Sequence, residues 1–471
     1  MLHISTRGEA PRLSFTDALL AGLARDGGLY VPESWPVLDP GTIASFAGMP
    51  YGVVAKAVLG ALTGGDLPAA DLGRAIDVSY ASFRHPAVCP LVQIGDNLFV
   101  LELFHGPTLA FKDVAMQLLG RLMDDALAAR GRRATIVGAT SGDTGSAAVA
   151  AFAGSSRVDV FILYPHGRVS EVQRRQMTSV DAPNVHAIAI DGTFDDAQAM
   201  VKAMFGHAAF RDELQLSGVN SINWARVAAQ AVYYFTAAVA LGSPHRPVSF
   251  SVPTGNFGDV LAGHVAAKMG LPVGRLGIAT NANDILARTL KTGRYEVQGV
   301  MPTTSPSMDI QVSSNFERLL FEAYGRDPAA TRRLMDGLAQ SGSFAIGPEP
   351  LASIRREFDA ASVPEEEVVD EIGRTWREAG YLLDPHTAIG VRAARGQVGY
   401  DPATPVVALA TAHPAKFPDA VERATGFRPP LPPHLADLMD RPERLTRLPN
   451  EIAAIERFIR AEARAVQDRA A

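Results

Sequence analysis

Short apolar runs rich in β-branched residues alternate with helical patterns along most of the chain. Five of these runs are long enough to be buried strands, at residues 134–137, 158–164, 185–190, 248–252 and 405–410. Apolar strands separated by amphipathic helices are typical of parallel sheets covered by helices. The pattern therefore predicts an α/β core with buried, mostly parallel strands.

The two ends of the chain follow other patterns. Residues 14–23 read as a capped amphipathic helix, and residues 26–32 as a turn that leads into an extended segment. After Pro430 the sequence becomes charged, and residues 452, 455, 458 and 459 are apolar at helical spacing. We interpret this last part as a packing helix.

Composition narrows the class of protein. The 471 residues are 47% hydrophobic and 20% charged, enough for two or three domains with a large core. A net charge of −6 with dispersed basic residues argues against a nucleic-acid surface. The single cysteine, Cys89, suits a reducing compartment, and the longest apolar run, 228–241, is too short to span a bilayer. We expect a cytoplasmic protein that binds neither nucleic acid nor membranes, and the eleven histidines show no metal-ligand spacing.

Lys112 lies between apolar residues at the start of a helix-like run. Lysine is strongly hydrated and is rarely buried without a partner. Burial would lower its pKa and make the amine a nucleophile for an aldehyde cofactor such as pyridoxal phosphate (PLP). Taken alone, the triplet of Phe111, Lys112 and Asp113 is more often a helix start whose lysine reaches solvent.

Two glycine-rich turns each follow a strand pattern and precede a helix. The first covers residues 138–145, and the second is centred on 255–258. Small residues let a ligand approach the backbone, and the N–H groups of a helix start point toward an anion. Neither turn has the spacing of a dinucleotide or nucleoside triphosphate loop, so we expect a carboxylate or another phosphate.

Two further segments carry polar groups. Residues 219–226 contain amides, a hydroxyl and Arg226, which can hold a phosphate through two parallel hydrogen bonds, although a loop satisfying its own backbone is the commoner case. Thr411 and His413 follow the strand pattern 405–410, at the edge where open α/β sheets bind ligands. A structural hydrogen bond is the expected role for His413, as for His105 and His386.

Together these segments resemble the threonine synthases, PLP enzymes of the tryptophan-synthase-β fold group. The resemblance runs almost end to end and rests on residues 26–32, 105–113, 140–145, 176–178, 220–223, 253–259, 306–309, 384–387 and 411–417. It implies the α/β architecture of PLP fold type II, with two open, mostly parallel lobes and an N-terminal helical extension. The implied divisions are the extension (1–88), a PLP catalytic region (89–430, smaller lobe about 112–225) and a C-terminal helical segment (431–471).

The resemblance also implies roles for individual residues. Lys112 would be the catalytic residue and would bind PLP covalently, while Thr411 would face the pyridine nitrogen. The other cofactor-binding residues would be Asp143, Gly255, Asn256, Phe257 and Gly258. The substrate α-carboxylate would bind to Thr140, Ser141, Gly142 and Thr144, and the substrate phosphate to Asn220, Ser221 and Arg226. Many relatives carry Asn at the position of Asp143, and a carboxylate there would repel the cofactor's 3-oxygen unless a proton is shared.

The implied reaction converts O-phospho-L-homoserine and water to L-threonine and phosphate, by γ-elimination and β-addition of water. No metal is expected, and the protein would act as a monomer or weak dimer. Two alternatives stay open at this point. One is a PLP-dependent phospho-lyase of the same fold that releases a 2-oxo acid, and the other is a noncatalytic protein that keeps the ligand pockets.

Overall fold

The computed structural model describes residues 1–466, with only the backbone described at 398–400. The strands, in chain order, are β1 (His3–Ser5), β2 (Tyr30–Pro32), β3 (Leu91–Gly95), β4 (Leu98–Glu102), β5 (Ala134–Ala139), β6 (Val158–Pro165), β7 (Val185–Ile190), β8 (Leu216–Ser217), β9 (Val248–Pro253), β10 (Val273–Thr280), β11 (Arg294–Glu296), β12 (Ser343–Ala345), β13 (Phe358–Ser362), β14 (Val406–Ala410) and β15 (Thr446–Leu448). All five strands expected from the apolar runs are present, each within two residues of its expected ends.

The helices cover both faces of the sheets. In chain order they are α1 (Phe15–Ala21), α2 (Pro40–Ala44), α3 (Tyr51–Thr63), α4 (Ala69–Tyr80), α5 (Lys112–Ala129), α6 (Asp143–Phe152), α7 (Glu171–Thr178), α8 (Phe194–Gly206), α9 (Ala208–Leu214), α10 (Trp224–Ala240), α11 (Gly258–Lys268), α12 (Ile285–Thr292), α13 (Phe316–Ala323), α14 (Pro328–Ser341), α15 (Pro348–Glu357), α16 (Glu365–Ala379), α17 (Pro385–Tyr400), α18 (Pro418–Thr425) and α19 (Ile452–Glu462). Within residues 1–466, none of them is long and apolar enough to cross a bilayer.

The larger sheet has the strand order β13-β10-β9-β14-β4-β3. All neighbouring pairs are parallel except β3 and β4, which form an antiparallel edge. The two central strands, β9 and β14, are fully buried, because helices such as α11 and α17 pack on the sheet. This is the mostly parallel α/β sheet that the apolar strand runs predict.

The smaller sheet has the order β15-β7-β6-β5-β8, with parallel pairing throughout. Its outer strand β15 comes from the C-terminal segment, which the sequence pattern described only as helical. The packing helix is confirmed, since Ile455 and Ile459 of α19 lie in one apolar cluster with Phe161 of β6. Residues 467–471 of that segment lie outside the described residues, and the domain divisions remain a prediction.

The N-terminal part packs on the catalytic part through α3 on α10 and α4 on α5, and polar contacts join it to α13. The helix expected at 14–23 begins after Ser14, whose hydroxyl accepts a hydrogen bond from the Asp17 N–H. The Glu317 carboxylate accepts hydrogen bonds from Arg7 and from the Thr6 hydroxyl, at 2.6 to 3.1 Å. Arg318 donates to the carbonyl of Tyr30 at 3.0 Å. The extension therefore packs against a helix that, as described below, also touches the candidate active site.

Candidate active site

Lys112 is the first residue of α5, and its position is set by the loop before it. Leu109 has a φ of +61°, so the chain turns sharply there. The Asp113 carboxylate accepts hydrogen bonds from the N–H and the hydroxyl of Thr108, at 2.7 and 2.8 Å. The Phe111 N–H donates to the carbonyl of Thr411 at 2.8 Å. These contacts fix the start of α5 to the carboxyl end of β14, where ligands were expected.

Lys112 is buried, with 8% of its surface exposed. Burial lowers the pKa of its amine, and the positive charges of Arg226 and Lys416 lower it further, against the opposing effect of Asp143. Its Nζ lies 3.6 Å from the nearer oxygen of Asp143 and 4.7 Å from the centre of the Phe111 ring. A lysine in this environment has the nucleophilic amine that covalent cofactor binding requires.

Asp143, at the start of α6, does not stand alone beside Lys112. Its Oδ1 lies 2.8 Å from Lys416 Nζ and accepts a hydrogen bond from Gln173 at 2.9 Å. Ser307 donates to the other oxygen at 3.3 Å. Burial alone would raise the pKa of Asp143, but Lys416 and Lys112 outweigh it, so the pKa lies well below its ordinary value. The residue is a charged, fully hydrogen-bonded carboxylate, and the pattern of the sequence did not single out Lys416 as its partner.

The first glycine-rich turn is organised by Thr140. Its hydroxyl oxygen accepts hydrogen bonds from the N–H groups of Gly142 and Gly145, both at 2.9 Å, while its hydrogen can still be donated to an anion. Gly142 has a φ of +140°, and a Cβ there would lie 2.3 Å from the Gln173 side chain. Ser141 and Thr144 on the same turn are half-buried. The turn is therefore built closely enough for a carboxylate to reach its backbone.

The second glycine-rich turn leads into α11 and is also closely packed. Phe257 has a φ of +66°, and its ring packs on Phe316 at 5.4 Å. A Cβ at Gly255 would lie 2.9 Å from the Ser307 carbonyl oxygen. Because the turn leads directly into the first N–H groups of an eleven-residue helix, it is a suitable cradle for a phosphate. Gly255, Asn256, Phe257 and Gly258, the residues predicted to bind the cofactor phosphate, all lie on this turn.

Arg226 is a buried cation without an acidic partner. It is 3% exposed, and Nη1 donates to the Val219 carbonyl at 3.2 Å. Within residues 1–466, no acidic side chain forms an ion pair with it, and its Nε has no hydrogen-bond acceptor. Burial lowers the pKa of its guanidinium to about 10. An incompletely satisfied guanidinium that is close enough to Lys112 to influence its pKa is poised for an anionic ligand.

Asn315 joins the segment before Arg226 to the phosphate cradle. Its Nδ2 donates to the carbonyls of Ser221 and Asn256, each at 3.0 Å. Arg318, which is also buried, donates to the Ile222 carbonyl at 2.7 Å and to the side chain of Asn315. Asn220 of the same segment is exposed, and no described hydrogen bond joins its side chain to the other site residues. Asn315 and Arg318 were missed by the sequence patterns because they lie inside an ordinary helix-start sequence.

Two histidine expectations can be compared with the structure. His386 Nδ1 lies 2.7 Å from Asp384, and its Nε2 accepts from the Ser307 N–H at 3.3 Å. His413 Nδ1 accepts from the Ala415 N–H at 3.1 Å, and burial lowers its pKa to about 4. Both therefore make the structural hydrogen bonds expected of them. Ser307 links His386 to Asp143, because its N–H donates to His386 and its hydroxyl donates to Asp143.

Comparisons with known proteins agree with this geometry. The family model for PLP-dependent enzymes matches residues 89–412, and models for the threonine synthase N terminus and C-terminal part match residues 2–80 and 387–459. The threonine synthase of Pseudomonas aeruginosa is 54% identical over 460 residues, covering 98% of each chain. The crystal structure of PLP-bound threonine synthase from Brucella melitensis superimposes with a TM-score of 0.96 at 61% identity, covering 98% of this chain and 100% of that one. The yeast enzyme gives 0.93 at 40% identity, covering 98% of each chain.

A buried lysine of lowered pKa and a helix-start cradle open to a phosphate fit PLP, and the fold and site define a PLP-dependent enzyme of fold type II. The matches to all three family models and to full-length relatives identify the family within this class. The chain belongs to the threonine synthase family, and its activity is that of a threonine synthase acting on a small-molecule substrate.

Proposed function

We propose that this threonine synthase converts O-phospho-L-homoserine and water to L-threonine and phosphate, and that it does so in the cytoplasm as a monomer or weak dimer. The observation that carries the choice of substrate is Arg226. A buried guanidinium without an acidic partner destabilises the folded protein unless an anion binds to it. A phosphorylated substrate supplies that anion close to Lys112.

In this proposal the cofactor is held at three points. Lys112 would bind it covalently, the turn from Gly255 to Gly258 would bind its phosphate, and Thr411 would face its ring nitrogen. Asp143 would lie beside its 3-oxygen. Bound PLP supplies an electron sink for charge that develops at the substrate carbons.

The remaining residues bind the substrate and move its protons. The turn that contains Thr140, Ser141, Gly142 and Thr144 would orient the α-carboxylate through backbone N–H groups and hydroxyls. Asn220, Ser221 and Arg226 would hold the phosphate, and Arg226 would stabilise its charge as it leaves. Lys112 Nζ, with its lowered pKa, would remove and return the proton at the substrate Cα.

Two variants test these roles separately. Lys112→Ala should lose the borohydride-sensitive visible band of bound PLP, together with about 10³-fold or more of the activity. Arg226→Ala should retain the band and lose about 10²- to 10³-fold in kcat/KM for O-phosphohomoserine, the loss expected from two charge-assisted hydrogen bonds. Arg211→Gln, which removes a half-buried arginine paired with Asp212, is the matched control and should behave like the parent.

Product analysis tests the reaction itself. Threonine and phosphate should form in equal amounts from O-phosphohomoserine. If 2-oxobutyrate were the main product, the alternative phospho-lyase would be correct. Equal loss of PLP binding and of substrate use in Arg226→Ala would contradict the assignment of Arg226 to the substrate phosphate.

A further inference from the structure

Lys416 is a fully buried lysine with no role in the reaction described so far. It follows β14 in the segment that begins with Thr411, and none of its surface is exposed. Its Nζ lies 2.8 Å from Asp143 Oδ1 and donates to the Thr108 carbonyl at 2.8 Å. Thr108 in turn holds Asp113, the neighbour of Lys112. One ammonium group thus connects β14, the loop before Lys112 and the start of α6.

A buried ion pair needs a reason, because desolvation of the two charges can cost more than their attraction returns. Apolar residues at 143 and 416 would pack at least as stably. Moreover, Asp143 already has a cation in Lys112, at 3.6 Å. A second, closer lysine therefore suggests that the first cannot serve as a permanent partner.

We propose that Lys416 is a positioning residue that keeps Asp143 ionised and in place while the charge on Lys112 changes. The inference rests on the proposed roles of Lys112 and Asp143. Lys112 must give up its positive charge to act as a nucleophile and a base. Without Lys416, each loss of that charge would leave a buried carboxylate with no cation in contact. With Lys416, Asp143 stays a hydrogen-bond acceptor of fixed charge.

The arrangement also acts on Lys112 itself. Lys416 repels the protonated form of Lys112, whereas Asp143 stabilises it. Among the described residues, the other charged or titratable groups that face Lys112, Asp143 or Lys416 are Asp113 of α5, Arg226 of α10, His386 of α17 and Asp259 of α11. Because Lys416 binds one oxygen of Asp143, the carboxylate stabilises the protonated form of Lys112 less. Removing Lys416 and removing Asp143 should therefore shift the titration of Lys112 in opposite directions.

The experiment measures how fast PLP-free protein captures added PLP, from the growth of the visible band, across the neutral to alkaline pH range. In Lys416→Met the midpoint of the pH profile should move to higher pH, and capture at neutral pH should slow about tenfold, the change that one pKa unit produces. In Asp143→Asn the midpoint should move to lower pH. In the double variant Asp143→Asn with Lys416→Met it should return toward that of the parent. Lys416→Arg keeps the charge and should stay close to the parent.

Lys268→Met is the matched control, since it removes an exposed lysine from α11 and should leave the profile unchanged. If Lys416→Met does not fold, the double variant still decides the matter, because adding Lys416→Met to Asp143→Asn should raise the midpoint. Unchanged midpoints in folded variants, or shifts of the same sign in both single variants, would overturn the inference.

Borohydride reduction followed by peptide mass analysis separates this inference from the proposed function. PLP trapped on the Lys112 peptide supports the proposed function, and unshifted midpoints alongside it would refute the role of Lys416 alone. PLP trapped on the Lys416 peptide would overturn both.

Discussion

Asp143 and Arg226 are both buried charges near Lys112, and they differ in how far the protein pairs them with other polar groups. Asp143 has two lysines, a glutamine amide and a serine hydroxyl around its two oxygens. Arg226 has one backbone carbonyl at 3.2 Å and, among the described residues, no acidic partner. One charge is satisfied within the folded chain, and the other is not.

We interpret this difference as one between the lasting part of the site, which would hold the cofactor, and the transient part, which would hold the substrate phosphate. A cofactor that stays bound can be matched by a fixed set of charges, because its environment need not change between turnovers. A substrate phosphate enters and leaves, so a charge already paired within the protein would have to break that pair each time. With the roles proposed above, the contrast teaches that satisfied charge would surround the cofactor and unsatisfied charge would bind the substrate phosphate.

The largest expected effect follows from removing each charge in turn. In the PLP-free protein, Asp143→Asn removes the carboxylate that contacts both Lys112 and Lys416, so the free energy of unfolding should fall by about 3–5 kcal/mol at neutral pH. Arg226→Met removes an unpaired buried cation and should leave that free energy unchanged or higher. Urea unfolding in phosphate-free buffer measures both. A similar loss in the two variants would contradict the comparison.

The pH dependence of the Asp143 effect gives an independent check. The pKa of Asp143 in the folded protein lies below its ordinary value of 3.8, so below about pH 4 the unfolded chain binds more protons. Its contribution to stability is therefore present above that pH and is lost as the pH falls through the folded pKa. The difference between parent and Asp143→Asn should shrink in acid, whereas a pH-independent difference would indicate a packing defect.

Part of the fold follows from local patterns, because five strands of the two sheets are long apolar runs and the first helix has a serine cap. The other strands were not expected from the apolar runs; β8 and β15, for example, have two and three residues and pair with the neighbouring strands β5 and β7, respectively. The site residues on glycine-rich turns were also predictable, since such turns have a local signature. Lys416 and Asn315 were not, because each acts through contacts with residues far away in the sequence. For the same reason the sequence suggested repulsion at Asp143, where the structure provides a neutralising lysine.

A smaller effect should distinguish the two charges by their response to inorganic phosphate. Phosphate that binds only the folded protein stabilises it, by about 1.4 kcal/mol when its concentration is ten times its dissociation constant. In PLP-saturated protein, where we propose that the cofactor phosphate occupies the Gly255–Gly258 turn, we expect this stabilisation in the parent and in Arg211→Gln. We expect it to be absent in Arg226→Met. Thermal unfolding at increasing phosphate concentration measures it, and equal stabilisation of all three proteins would place the phosphate elsewhere.

The smallest expected effect concerns Asn315, which contacts both the 255–258 turn and the segment before Arg226. Its amide donates to the carbonyls of Asn256 in the cofactor cradle and of Ser221 in the substrate segment. Asn315→Ala removes both bonds, each worth about 1 kcal/mol, and also the hydrogen bond that the Asn315 side chain accepts from Arg318. We therefore expect the dissociation constant of PLP and the KM for O-phosphohomoserine each to rise about fivefold, with kcat little changed. Ser314→Ala, which removes a neighbouring hydroxyl bonded only to the Asn256 side chain, is the control. If Asn315→Ala raised only one of the two constants, the two phosphate sites would be positioned independently, and the lasting and transient parts of the site would share no common support.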